Sequence, residues 1–136
     1  MKKIGAGIQI TPNASKHLIA WGVDKYLTDL TSTTPCFKVR RWQTGDMVGR
    51  MEIETFYEKF GGSYVQLHRA DLQSALLTVA QENGVQIHTN SRVVDFDLDR
   101  PEIVLEDGQR VHVDLVISAD GIPSLLLFRK KKSTDD

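Results

Sequence analysis

The sequence predicts an α/β fold, and three features carry that prediction. Leu72, Ala75, Leu76, Val79 and Ala80 form a continuous apolar stripe at helical spacing between Asp71 and Asn83. Leu115-Val116-Ile117 is a wholly apolar run of the kind found in strands buried on both faces, and it empties into Ser118-Ala119-Asp120-Gly121. Several other segments alternate apolar and polar residues with the period of two that a half-buried strand requires.

In chain order, Ile4 to Ile10 reads as extended. Thr11-Pro12 then supplies an N-cap and the preferred first helical residue. Ala14, Leu18 and Trp21 share one helical face, and Gly22 stands where a left-handed cap ends such a helix. Asp24 to Leu30 is expected to form a second, shorter helix. From Phe37 to Glu54 the pattern is that of a hairpin broken at Thr44-Gly45-Asp46, with Met47, Met51 and Ile53 on one side of its second strand. That side is expected to meet a core or a ligand. The helix over 71–83 ends at Asn83-Gly84. Strands follow at Val85 to His88 and Val94 to Asp99, then a second hairpin turns at Asp107-Gly108 between Glu102–Glu106 and Arg110–Val113.

The chain has 136 residues, 40% of them hydrophobic and 26% charged, which is ordinary composition for one modest domain. Its 17 basic and 18 acidic residues give a formal net charge of −1, so no global field draws in nucleic acid or anionic lipid. Cys36 is the single cysteine, which excludes an internal disulfide and fits a reducing, cytoplasmic setting. Gln9, Pro12 and Asn13 interrupt the N-terminal apolar stretch before a signal-peptide core forms, and no apolar run is long enough to span a bilayer. His17, His68, His88 and His112 are too scattered to suggest a metal site, and no Gly-x-Ser-x-Gly elbow is present.

Three motifs bear on chemistry. The Asp120-Gly121 turn after an apolar strand puts a carboxylate and open backbone at a sheet edge, the usual ligand position in open α/β sheets. Arg69, in Leu67-His68-Arg69-Ala70-Asp71-Leu72, stands near the start of the strongest helix, where its guanidinium fork suits a phosphate or ribityl oxygen. Gly5-Ala6-Gly7-Ile8-Gln9-Ile10 permits close backbone approach, but lacks the preceding strand and third glycine of a dinucleotide fingerprint. Each motif alone has an ordinary structural reading: a turn, a surface arginine, a flexible strand.

In this order and spacing, from Gly5 to about Ser124, the segments Gly-Ala-Gly-Ile-Gln-x-x-Pro-Asn, His-Arg-Ala-Asp-Leu, Glu-Asp-Gly-Gln and Asp-Leu-Val-Ile-Ser-Ala-Asp-Gly-Ile-Pro-Ser resemble a family. That family is the single-component FAD-dependent monooxygenases of the aromatic-hydroxylase, salicylate-hydroxylase-like group, which includes many fungal natural-product enzymes. The resemblance implies an incomplete FAD-binding domain over residues 1–124, Rossmann-like and three-layered around a parallel sheet, with an antiparallel excursion from about Phe37 to Leu67. It implies FAD contacts at Gly5, Ala6, Gly7 and Gln9 beside the flavin and ribityl chain, at Arg69, and at Val93 through its backbone to the adenine. Asp120 and Gly121 are implied to serve both FAD binding and NAD(P)H use.

The implied activity is reduction of FAD by NAD(P)H and oxygen transfer from dioxygen to an electron-rich aromatic or polyketide-type molecule, as in secondary metabolism. No catalytic acid or base is named by the resemblance. The family's opening strand, its Gly-x-Gly-x-x-Gly loop and its later substrate sheet have no counterpart in this sequence. The chain is therefore expected to be an internal fragment that works only with a companion chain supplying those parts, or a non-catalytic remnant or binding module. Residues 125–136, with Arg129-Lys130-Lys131-Lys132, depart from the family pattern and are expected to form a disordered polar tail.

Overall fold

The structure, a computed structural model, describes residues 6–97, 100 and 102–121. Gly5, Leu98, Asp99 and the expected boundary and tail beyond Gly121 lie outside the described residues. The chain divides into two compact units, Met1–Gln86 and Ile87–Asp136.

The first unit opens with β1 (Gly7–Ile10) and α1 (Pro12–Ala20), followed by a single 3-10 turn at Asp24–Tyr26 and the short β2 (Thr31–Ser32). The hairpin β3 (Cys36–Arg40) and β4 (Met47–Glu52) comes next, then α2 (Phe56–Phe60), β5 (Val65–His68) and α3 (Arg69–Glu82). Strand β5 is the middle of a sheet ordered β1-β5-β2, antiparallel to both neighbours. The ladder pairs Gly7 with His68, Ile8 with Leu67, Gln9 with Gln66 and Ile10 with Val65. Alternation then does the sorting: Ile8, Ile10, Val65 and Leu67 turn inward, whereas Gly7, Gln9, Gln66 and His68 share the other face.

The inward face meets α1 and α3. Ile10, Val23, Leu27, Leu67 and Ala75 form the buried cluster, with Ala14 and Leu18 of α1 and Leu72 and Val79 of α3 packed on it. The predicted stripe of α3 is thus the core face. Thr11 and Pro12 begin α1 as the sequence predicts, and Gly22 follows its end at φ +70°. Trp21 departs from the expected face and stands 61% exposed, because α1 has already ended at Ala20.

At Gly62 the chain passes so close to α1 that an added Cβ would stand 2.6 Å from the Pro12 carbonyl oxygen and 2.7 Å from Ser15 Oγ. Both α3 and the 3-10 turn are tied at the surface by Glu82, whose carboxylate accepts from the Tyr26 hydroxyl and meets Lys25 Nζ at 3.3 Å. The Tyr26 hydroxyl, first among the causes, holds the Glu82 carboxyl below its ordinary value. The same bond raises the Tyr26 phenol, and Glu82 raises the Lys25 ammonium.

The second unit contains β6 (Val93–Asp97), β7 (Glu102–Leu105) and β8 (Arg110–His112), an antiparallel sheet in that order. Phe96 is buried there among the described residues, and the buried Glu102 carboxylate accepts from Arg110 Nη1 at 2.5 Å and faces His112 Nε2 at 3.0 Å. The Asp107-Gly108 turn joins β7 to β8 as predicted.

Two predicted strands differ. Val85 to His88 is irregular: the Val85 N–H donates back to Ala80 O at the end of α3 and so is unavailable to a ladder. Leu115–Ile117 has no ladder partner among the described residues, and Leu115 and Ile117 are 74% and 80% exposed. A run apolar on both sides is stable as a strand only between two neighbours, which no described residue supplies. All described ladders are antiparallel. The predicted antiparallel excursion is present as β3 and β4, but the side carrying Met47 and Met51 is exposed at 56% and 54%, and only Ile53 of that series is buried.

Two outcomes are expected. Gly62→Ala should destabilise the chain by about 1–3 kcal/mol in urea unfolding, because the new methyl forces α1 from its seat. For Glu82, a carboxyl depressed from 4.5 stabilises fully above that pH and loses its contribution as pH falls through the folded value. Raised groups work in the opposite sense, so the Tyr26 contribution fades above 10.0. The stability difference between wild type and Glu82→Gln should hence be flat at neutral pH and shrink towards both extremes, as followed by urea midpoints across pH.

Candidate functional site

The polar face and outer edge of the β1–β5 pair border an open cleft of about 430 Å³ lined by Gly7, Ile8, Gln9, Gln66, Leu67 and Arg69. This lies within the size range of small-molecule clefts, roughly 300–1,000 Å³. Each lining residue has a local cause. Gly7 and Gln9 sit two apart on β1 and so point the same way, and the register sets Gln66 opposite Gln9. Arg69 is the first residue of α3, directly after β5 ends, and its backbone N–H donates to Ala6 O at 3.2 Å. That bond carries the β1–β5 pairing one step beyond the ladder and fixes Arg69 beside Ala6 and Gly7.

Arg69 is exposed, and among the described residues it has no ion-pair partner. An exposed arginine without an ion pair is ordinary in itself; what sets Arg69 apart is its place in the lining of this cleft. At Gly7 an added Cβ would meet nothing among the described residues closer than Leu67 O at 3.9 Å, so these residues do not demand glycine there. Gln66 has its own anchor, donating from Nε2 to Thr34 Oγ1 at 3.2 Å. The arrangement offers a cation, two amide side chains and open main chain to a ligand that is polar, extended and anionic or hydroxylated.

Of the residues singled out in the sequence, Ala6, Gly7, Gln9 and Arg69 are therefore brought together, and Gly5 lies outside the described residues. Val93, Asp120 and Gly121 belong to the second unit. Val93 is the half-buried first residue of β6, paired with Leu105 and followed by a register shift before Asp95. Asp120 accepts from the Ser118 hydroxyl, and Gly121 has φ +79°, a conformation that favours glycine. Sequence reasoning missed Gln66 and His68. The alternation Val65-Gln66-Leu67-His68 was the available signal, since it puts both on the face of Gln9 once β5 is paired with β1.

The fold is that of solved FAD-dependent hydroxylases, in part. The structure of Klebsiella pneumoniae HpxO complexed with FAD and uric acid superposes with a TM-score of 0.72 at 26% identity, over 93% of this chain and 32% of that one. No protein-family model matches the chain. Among sequence relatives, the FAD-dependent monooxygenase atnJ of Arthrinium sp is 36% identical over 129 residues, 93% of this chain and 29% of that protein. The 3-hydroxybenzoate 6-hydroxylase 1 of Aquipseudomonas alcaligenes is 32% identical over 124 residues, 88% of this chain and 32% of its own length. In sequence and in fold, the chain is similar to one segment of the aromatic-hydroxylase-like FAD-dependent monooxygenases. It spans less than a third of the length of each of these relatives.

Because no described atom crowds the Cβ position of Gly7, Gly7→Ala should not lower stability by more than about 0.5 kcal/mol in urea unfolding. A loss well above that would mean that the strand, rather than a ligand, requires the glycine.

Proposed function

We propose that the β1–β5 edge forms part of an FAD site, and that the chain is the corresponding segment of a monooxygenase acting on an electron-rich aromatic or polyketide-type molecule. The single observation that carries this reading is the exposed Arg69 guanidinium, without an ion-pair partner among the described residues, held beside Gly7 and Gln9 in an open cleft. The kinship reported above supplies the cofactor's identity.

These residues suit such a cofactor. Arg69 would hold a phosphate or ribityl oxygen by charge-assisted hydrogen bonds, which are shorter and stronger than neutral ones. Gln9 and Gln66 each carry a donor and an acceptor for ribityl hydroxyls. Gly7 keeps the main chain open at the point of closest approach, and Ala6 and Gly5 continue that edge in the sequence. In the second unit, Val93 would meet the adenine through its backbone, and Asp120 and Gly121 would serve FAD and NAD(P)H. FAD when bound supplies the redox and oxygen chemistry, and the protein binds, orients and shields it.

NAD(P)H as reductant, a small aromatic substrate and a cytoplasmic setting belong to the same reading. No helix among the described residues is long and apolar enough to cross a membrane. Turnover requires the remainder of the relatives' length, within one polypeptide or from a companion chain.

Arg69→Ala should weaken FAD binding by about 1.5–3 kcal/mol, the worth of a hydrogen bond to a charged group, measured by fluorescence titration of the chain. Affinity equal to wild type would remove Arg69 from the site.

A further inference from the structure

The helix that carries Arg69 begins earlier than its sequence suggests. Read from the chain alone, Asp71 is the natural start of the helix, because aspartate is a preferred N-cap and the apolar stripe begins at Leu72. A helix capped at Asp71 would leave Arg69 and Ala70 in the preceding extended segment. In the structure α3 instead starts at Arg69, and its N-cap is His68, a residue type outside the favoured cap set.

The cap is made by a side chain. His68 has φ −79° and ψ 134°, still extended and still paired with Gly7 in the ladder, while its Nδ1 accepts the Ala70 N–H at 3.2 Å. Ala70 is buried, 7% exposed, so its N–H has little access to water if that acceptor is removed. Arg69 is thereby held from both sides. Behind it, its own N–H bonds to Ala6 O; ahead of it, the imidazole closes the first turn of α3. The strand becomes a helix with no intervening loop, and the direction of the arginine is set by where the first turn closes.

We propose that His68 is a positioning residue for the cofactor: its imidazole cap selects the longer α3 over a helix begun at Asp71, and so holds Arg69 at the cleft. This rests on the FAD reading of the site given above. His68 itself need not touch the ligand, and its effect passes through the backbone of residues 69–70.

The test uses the full chain and FAD, with three substitutions at one position. His68→Ala removes the acceptor, His68→Asn restores a short side-chain acceptor, and His68→Lys removes the acceptor while adding positive charge. Fluorescence titration should show FAD affinity falling about fivefold in His68→Ala and in His68→Lys, the size of one lost cap, and returning to near wild type in His68→Asn. Hydrogen exchange at the Ala70 amide should accelerate in the first two variants and recover in the third, while protection in the middle of α3, around Ala75, stays unchanged.

Affinity unchanged in His68→Ala despite a deprotected Ala70 amide would overturn the proposal, as would tighter binding in His68→Lys or no rescue by His68→Asn. Should His68→Ala fail to fold, the contrast between His68→Lys and His68→Asn decides alone. If wild type binds and Arg69→Ala weakens it while the His68 series is flat, only the positioning role falls. If wild type shows no saturable FAD binding, the FAD reading falls and the positioning role with it.

Discussion

The pairing of β5 between β1 and β2 is the interaction on which the first unit depends. It buries Leu67 at the centre of the core cluster and sets the faces of all three strands by register. It also delivers the chain directly into α3. A slip of one residue would exchange Val65 and Leu67 with Gln66 and His68, placing amide and imidazole groups in the core and apolar groups on the cleft. Stability and the candidate site are therefore set by the same choice of register: the pairing that hides Leu67 is the pairing that exposes Gln66 opposite Gln9.

Much of this was legible in the sequence. Local signals with one dominant cause were read correctly: Thr11-Pro12 starting α1, the apolar stripe of α3, the Asp107-Gly108 turn, and the hairpin from Phe37 to Glu54. Elements whose form depends on neighbours were not. Leu115–Ile117 is a strand only if strands flank it, and Val85 to His88 loses its first donor to the end of α3. The apolar stripe put the start of α3 at Asp71, two residues late, because the actual cap depends on His68 being locked extended by the ladder with Gly7, which is a tertiary fact.

The site was legible in a similar way. Arg69, Gly7 and Gln9 were recognisable as residues of a known pattern, but their adjacency is a product of antiparallel pairing between segments nearly sixty residues apart. Gln66 had no motif to mark it, and His68 stood in the His-Arg-Ala-Asp-Leu segment without a role of its own. The second unit shows the limits of pattern in a different respect: Val93 and Asp120-Gly121 are placed by resemblance, and their local structures, a half-buried strand start and a turn with positive φ at Gly121, suit backbone contacts without specifying the ligand. Apolar side chains also stand uncovered among the described residues, Trp42 at 89% and Ile117 at 80% exposure among them.

The central claim is that FAD meets this chain at the edge where β1 and β5 join α3. The most direct measurement is amide hydrogen exchange of the chain with and without saturating FAD, resolved by peptide or by residue. The account predicts added protection confined in the first unit to residues 6–10 and 66–70, with α1 and the β3–β4 hairpin unchanged. Saturable FAD binding that leaves 6–10 and 66–70 unprotected, or no FAD-dependent protection anywhere, would contradict it.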